Sequence, residues 1–238
     1  MYTNEFFDLQ LELAEKASAL SGLSFPRAVL DYTNLYIRFG CGRDFDPGHP
    51  TWREYAAGLA DTADRRDWTY RFYATRSPAV EPPGLVATFG SFSYARLDTD
   101  RIRLHFHGGD RDGRSALGAD RRGERLADLA ALFAHVERAE RHPVRVVGAS
   151  WLYNVEAYRR LFPESYLATA RAIRGRFRHM PLWGQFVNRH GAVREDMARQ
   201  FRERLAGRST LEDLDRCFPF QVLALEAPAG DFSRFYGV

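Results

Sequence analysis

Lysine is almost absent from this chain of 238 residues, because Lys16 is the only lysine among 34 basic side chains. An arginine bias of this kind is explained by GC-rich codon usage at least as well as by selection for positive charge. The net charge is only +3, and acidic residues are mixed with the arginines, as in residues 61–67. A duplex-binding surface needs basic residues clustered on one face, so this pattern argues against a nucleic-acid partner.

Cysteine and long apolar segments are also scarce. The two cysteines, Cys41 and Cys217, lie far apart in the sequence and form no metal-ligand pair. Acidic residues interrupt the first turns, which argues against a signal peptide. The longest apolar runs are too short to cross a bilayer. We therefore expect a protein without a membrane partner, in a reducing, cytoplasmic compartment.

The first third of the chain has apolar residues at helical spacing. Helices are predicted at residues 4–20, 24–38 and 51–66, and a strand at 68–74. Three prolines between residues 77 and 84 mark the best internal boundary. The sequence therefore predicts a mostly helical region at 1–84 and a second region at 85–238.

The second region alternates with period two before a helical pattern returns. Strands are predicted at residues 86–95, 101–107, 144–148 and 220–225. Helices are predicted at 124–140, 154–162, 166–178 and 192–205. The order of strand, loop, helix and strand in the centre requires a parallel pair joined by a crossover helix. The predicted fold class is therefore α+β, with a mixed, partly parallel sheet and a helical N-terminal region.

A loop rich in glycine and arginine precedes the predicted central helix, between residues 108 and 123. A helix N-terminus presents unpaired N–H groups and a partial positive charge, which attract phosphates. Arg121, Arg122 and Gly123 stand at this terminus, although neither standard nucleotide-binding fingerprint is present. The sequence indicates either a phosphate-binding turn or a surface loop without a ligand.

Residues 120–129 and 146–158 resemble the core of the GNAT acyltransferase superfamily. Its members have a strand, a phosphate-binding turn, a helix, a strand, and then a helix entered through Asn-x-x-Ala, which Asn154 and Ala157 match. Gly123 fits the central glycine of the family's turn, Arg/Gln-x-x-Gly-x-Gly/Ala. Asp120 replaces its leading residue, and Arg125 replaces its final small residue.

A more specific resemblance is to an acyltransferase-type family with a helical N-terminal domain. That family shares a histidine on a strand, a helix that ends in phenylalanine, and a Ser-Trp-Leu segment. The corresponding residues here are His105, Phe133 and 150–152.

The resemblance implies transfer of an acyl group from acyl-CoA to an amine or similar small-molecule nucleophile. Arg121, Arg122, Gly123 and Asn154 would then hold the acyl-CoA, which is a substrate, and no metal is expected. His105 or His107 would deprotonate the acceptor. The family's acidic tyrosine falls at Leu161 in this chain, so Tyr158 is the candidate to replace it. The acyl carbonyl would lie between the strands that carry His105 and Val147.

Two other functions remain open from the residues alone. His105 and His107 face the same way on a strand and, with Asp110, suggest a metal-dependent enzyme. A non-catalytic ligand-binding or interaction protein with a degenerate acyltransferase fold is the other alternative. Cys41 lies between two glycines and could be an exposed nucleophile with His49 as its partner, or simply a small residue in a tight loop.

Overall fold

The computed structural model describes residues 1–76, 84–108, 115–140 and 142–238. In these ranges the chain has the predicted α+β fold, with a six-stranded mixed sheet. It divides into two compact units, Met1–Val80 with Arg174–Gln221, and Glu81–Ile173 with Val222–Val238. The sequence placed residues 174–221 in the second region, whereas the structure places them with the N-terminal helices. None of the helices in the described ranges is both long and apolar enough to cross a bilayer.

The regular elements are numbered here in chain order. The helices are α1 (Asn4–Ser21), α2 (Phe25–Tyr32), α3 (Leu35–Arg38), α4 (Pro50–Asp61), α5 (Arg65–Ala74), α6 (Arg122–Ala139), α7 (Glu156–Arg159), α8 (Glu164–Leu167), α9 (Met180–Trp183), α10 (Glu195–Ala206) and α11 (Ala229–Tyr236). The strands are β1 (Leu85–Phe89), β2 (Phe92–Arg96), β3 (Arg101–Phe106), β4 (Arg145–Ser150), β5 (Arg171–Ile173) and β6 (Val222–Pro228).

Helix α1 forms the centre of the first unit. Its predicted inner positions, including Phe6, Leu9 and Leu13, are fully buried. The helix packs against α2, α5 and α10. Gly22 ends it in a left-handed conformation with φ +72°, which glycine adopts without steric cost. The extent of this helix was therefore predicted correctly.

The predicted strand at residues 68–74 is wrong, because this segment is the helix α5. The aromatic residues that alternate in the sequence also satisfy helical spacing, and Phe72 and Tyr73 are buried side by side on the helix. Asp64 caps the helix by accepting hydrogen bonds from the N–H groups of Arg66 and Asp67, both at 3.0 Å. This local cap favours the helix over a strand.

The single helix predicted at residues 24–38 is broken into α2 and α3. At the break, the backbone N–H of Asn34 donates to the side-chain oxygen of the buried Gln10, at 2.9 Å. Thr33 donates its hydroxyl to the carbonyl oxygen of Val29 at 2.6 Å. The break therefore depends on a partner 24 residues away in the sequence.

The sheet of the second unit has the strand order β1-β2-β3-β4-β6-β5. Strands β3 and β4 are parallel, and the other neighbouring pairs are antiparallel. Helix α6 lies between β3 and β4 in the sequence, so the predicted parallel pair with a crossover helix is confirmed. The single strand predicted at 86–95 is instead the hairpin of β1 and β2, which turns at Gly90 with φ +52°.

One face of the sheet packs against α6 and α11 to form the core of the second unit. Helix α6 buries Leu129, Leu132 and Phe133 as predicted. Phe133 stacks on Phe232 of α11 with ring centroids 4.5 Å apart. The other side of this core contains the inward residues of the strands, which are Phe92, Tyr94, Ile102, Leu104, Val146, Leu225 and Ala227.

The helix predicted at residues 166–178 is also wrong. The chain forms the short helix α8 and then the edge strand β5, which pairs with β6. The helix predicted at 154–162 is reduced to α7, after a 3₁₀ turn at Trp151–Asn154. A four-residue helix and a three-residue strand carry too few residues to show a period of their own in the sequence.

Candidate functional site

Strands β3 and β4 pair only along their first halves. The ladder joins residues 101–103 of β3 to residues 145–147 of β4. Beyond this point, β3 continues along β2 and β4 continues along β6. Within these fully described strands, no ladder joins 104–106 to 148–150, so the two strands diverge towards their carboxyl ends. An opening of this kind leaves strand edges whose backbone groups a ligand can pair with.

One face of the sheet beside this opening carries a serine and two histidines. Ser93 of β2 lies opposite His105 of β3, and His107 follows two residues later on the same side. Ser93 Oγ lies 2.7 Å from His107 Nε2. Ser93 is fully buried, whereas His107 is exposed. The backbone N–H of His107 donates to the carbonyl of Ser91 at 2.8 Å, which fixes the histidine backbone.

Tyr158 lies on the opposite face, in the core that includes α6. It is 3% exposed and packs against Phe106, with ring centroids 5.4 Å apart. Burial, together with the neighbouring Tyr153 phenol, holds the pKa of Tyr158 well above its usual value. The phenol of Tyr158 therefore stays protonated at neutral pH, and it is suited to donating a hydrogen bond rather than to acting as a base.

Two further tyrosine hydroxyls lie against β4 at Gly148. The hydroxyls of Tyr153 and Tyr166 are 2.8 Å apart. A Cβ atom added to Gly148 would come within 2.1 Å of both hydroxyl oxygens. Glycine is therefore required at the position where β4 leaves β3. The signal that could have identified this position in the sequence is a glycine inside a strand, which indicates close approach by another group.

The structure thus places the predicted catalytic residues on two sides of one opening. His105 lies on one face of β3, His107 follows the strand on the same side, and Tyr158 packs on the other face against Phe106. The histidines and the tyrosine are not brought together on a single surface. A reacting group held between β3 and β4 would therefore have the histidines on one side and the tyrosine on the other.

The N-terminus of α6 presents fewer positive groups than the sequence predicted. Arg122 and Gly123 are exposed there, and nothing lies within 4 Å of a Cβ built on Gly123. The Arg121 side chain is only 7% exposed, with Nε 3.4 Å from Glu124 Oε2. The backbone N–H groups of Arg121 and Arg122 donate to Gly118 and Ala119 in a 3₁₀ turn. Arg122, Gly123 and the acidic Glu124 are therefore the exposed residues at the start of α6.

Arg125 connects α6 to the turn between β1 and β2. Its guanidinium is buried and donates to the carbonyl oxygen of Ala116 at 3.1 Å and to Asp128 Oδ2 at 2.8 Å. It also donates to the hydroxyl of Ser91, and the Ser91 N–H donates to Asp128 at 3.1 Å. Arg125 therefore stabilises the position of the helix, a role that the sequence analysis did not predict.

Asn154 ends the turn that follows β4. Its side-chain amide donates to the carbonyl oxygen of Trp151 at 2.8 Å. Ser150 caps the same turn by accepting the N–H of Leu152 at 3.1 Å. Asn154 thus has a structural hydrogen bond in addition to the ligand contact that the resemblance implies.

The metal site and the Cys41 nucleophile are the remaining candidate sites. In the described ranges, no three histidine, cysteine or acidic side chains are grouped so that they could hold a metal ion. Asp110, the third predicted ligand, lies outside the described residues. Cys41 is buried, and burial raises the pKa of its thiol to about 11. A thiol that is neutral at pH 7 is a poor nucleophile, so the structure argues against the Cys41 hypothesis.

Comparison with known proteins assigns no family to this chain. No protein-family model, no curated protein and no solved structure matches it. The function has to be inferred from the residues of the chain and their geometry.

Proposed function

We propose that this chain transfers an acyl group from an acyl-CoA to an amine or a similar small nucleophile. The observation that carries the proposal is the divergence of β3 and β4 after three paired residues, with α6 as the crossover between them. In the GNAT superfamily, which the sequence resembles, the acyl carbonyl lies between two strands of this kind. The same strands here are flanked by the predicted catalytic residues.

In the proposed reaction, backbone N–H groups at the edges of the opening polarise the acyl carbonyl. His107 accepts a proton from the amine as the amine nitrogen attacks the carbonyl carbon. The tetrahedral intermediate collapses, the carbon–sulfur bond breaks, and coenzyme A leaves as a thiolate. His107 then releases its proton to solvent, from which the thiolate can be protonated. The buried Ser93 keeps the imidazole in one orientation throughout.

Tyr158 acts on the leaving group from the opposite side of the sheet. An ordinary thiol has a pKa of about 8.5, so a phenol with a strongly raised pKa does not transfer its proton to the thiolate. Donation to the sulfur requires the Tyr158 hydroxyl to exchange its hydrogen bond with Tyr153 for one to the sulfur as negative charge develops there. We therefore assign hydrogen-bond donation, rather than general acid catalysis, to Tyr158.

The phosphates of the acyl-CoA would be held at the start of α6. Arg122 is exposed there, and Gly123 leaves open space beside the backbone. The partial positive charge of the helix adds to the guanidinium of Arg122. Arg121 and Arg125 are buried, so they contribute charge from within the protein rather than direct contacts.

Binding of acetyl-CoA and of longer acyl-CoAs to the full chain tests the proposal through thermal unfolding. A ligand at a hundred times its dissociation constant stabilises the fold by about 2.7 kcal/mol. Arg122→Ala should weaken this stabilisation. Arg138→Ala, an exposed arginine in the last turn of the same helix, is the matched control and should leave it unchanged. The absence of stabilisation by any acyl-CoA, or equal losses in both variants, would contradict the proposal.

Turnover is measured separately, as release of the coenzyme A thiol in the presence of a panel of small amines. Amine-dependent thiol release supports acyl transfer. Binding without release for every amine and acyl group would instead favour the non-catalytic alternative, in which the fold holds a ligand but performs no chemistry.

A further inference from the structure

The first unit contains a pocket of about 280 Å³ that plays no part in the proposed acyl transfer. It lies between α2, α4 and the loop that precedes α4. Its apolar lining consists of Pro26, Leu30, Pro47, Trp52 and Ala56. Two exposed arginines, Arg27 and Arg53, also border it. The volume is near the lower end of the range for small-molecule sites, so the pocket suits a compact ligand.

The loop that supplies Pro47 is held in a fixed conformation. The Tyr36 hydroxyl donates to Asp44 Oδ1 at 2.7 Å and accepts the N–H of Asp46 at 3.1 Å. Phe45 adopts φ +56°, a left-handed conformation that is rare for a residue other than glycine. Its ring is buried and stacks on Tyr36 with centroids 5.0 Å apart. A strained backbone conformation of this kind persists only where the surrounding contacts hold the residue in place.

Of the charged side chains of α2 and α4, both fully described, only Arg27 and Arg53 line the pocket. Asp31 is shared by two arginines, Arg27 at 2.5 Å and Arg178. Arg53 forms no ion pair with any residue in the described ranges of the chain. Arg27 is neutralised by Asp31, which leaves Arg53 as the lining cation available to an incoming anion. Asp46, the loop carboxylate next to Pro47 in the sequence, accepts the N–H of Gly48 at 2.8 Å.

We infer that this pocket binds a small organic monocarboxylate. The apolar part of the ligand, an aromatic ring or a short branched chain, packs against Trp52 and the two prolines. The carboxylate pairs with the Arg53 guanidinium, whose planar donors match the two carboxylate oxygens. Every lining residue belongs to the first unit, and a coenzyme is too large for this volume. The inference is therefore independent of the proposed acyl transfer.

Calorimetric titration of the full chain with phenylacetate, isovalerate and the neutral phenylacetamide tests the inference. Either carboxylate should bind in the submillimolar range, and phenylacetamide at least tenfold more weakly than phenylacetate. Arg53→Gln should remove this preference for the carboxylate. The inference is overturned if neither carboxylate binds at millimolar concentration, or if phenylacetamide binds as tightly as phenylacetate.

A pair of adjacent alanines supplies the matched variants. Ala56→Leu should fill the pocket and abolish carboxylate binding. Ala57→Leu, at the next and exposed position of α4, should leave it unchanged. Equal losses in the two variants would place the binding elsewhere and overturn the inference. If Ala56→Leu does not fold, the exposed Arg53→Gln still tests the site.

Discussion

The hydroxyl of Ser93 and the Nε2 atom of His107 are 2.7 Å apart on one face of the central sheet. The serine is completely buried, so its hydroxyl is not positioned to attack a substrate. The hydrogen bond instead orients the imidazole and directs its other ring nitrogen, Nδ1, away from the serine. His107, oriented by Ser93, is the strongest candidate for a general base in the second unit.

Substitution of His107 should separate binding from turnover. We expect His107→Gln to lower the turnover number for acyl transfer by about a hundredfold or more, the usual contribution of a general base. Thermal stabilisation by acyl-CoA should be unchanged, because the proposed phosphate site is at the start of α6. His142→Gln, an exposed histidine outside the sheet, is the control. Equal activity of the two variants would exclude His107 as the base.

Ser93→Ala tests whether the serine positions His107. The variant should reduce turnover by roughly tenfold while the KM for acyl-CoA stays the same. The reason is that the single hydrogen bond that orients the His107 imidazole is lost. Ser93→Thr retains the hydroxyl and should recover part of the rate. A Ser93→Ala variant with full activity and an unchanged pH profile would show that the hydrogen bond is only structural.

Gly148→Ala should destabilise the second unit by about 2 kcal/mol, because the new methyl group meets two buried hydroxyls. Replacing Tyr153 and Tyr166 by phenylalanine removes those oxygens and should relieve much of this cost. Gly123→Ala is the control, since its Cβ meets open space at a helix start. Urea unfolding measures each difference, and equal effects at the two glycines would disprove the close approach at Gly148.

Arg125→Met should cost about 3 kcal/mol of unfolding free energy. The substitution keeps the length of the side chain but leaves Asp128 and the carbonyl of Ala116 without their buried partner. Arg138→Met, which is exposed on the same helix, should change stability by less than about 0.5 kcal/mol. Unfolding curves that shift equally for both variants would mean that Arg125 does not hold α6 in place.

Asp215 gives a pH-dependent prediction in the first unit. Burial raises the pKa of its carboxyl above the usual 3.8, so the folded state binds the proton more tightly than the unfolded state. The penalty for ionising it grows as the pH rises through the unfolded and then the folded pKa. Asp215→Asn should therefore be more stable than the wild type at pH 7.

This advantage of Asp215→Asn should shrink as the pH falls below about 3.8, where both states are protonated. Asp196→Asn, at an exposed position of the same unit, serves as the control and should show no such gain. Denaturant unfolding at several pH values measures the difference. A variant that is less stable at pH 7 than at pH 3, relative to the wild type, would reverse the sign and refute the prediction.

The order of elements around α6 could be predicted because each element shows its own periodicity over enough residues. The alternation along β3 and the apolar stripe of α6 are local patterns, and chain order then requires a parallel pair. The tyrosine at position 158 and the histidines at 105 and 107 were named from the sequence. Their placement on opposite faces of the sheet became visible only in three dimensions.

The remaining features depend on partners that are distant in the sequence. The break between α2 and α3 needs Gln10, and the anchoring of α6 needs Ser91. The burial of Arg125 could not be predicted, because nothing near it in the sequence indicates burial. The assignment of residues 174–221 to the first unit likewise follows from tertiary packing and not from composition.

The interruption of the second unit by residues 174–221 has a consequence for biosynthesis. Strand β6 pairs with β4 along six residues and also with β5, yet it is translated after every residue of the first unit. Until β6 leaves the ribosome, the edge of β4 that pairs with β6 has no partner strand. That edge can then pair with another nascent chain. Chaperone dependence and early aggregation should therefore be governed by how quickly the segment Val222–Val238 is delivered.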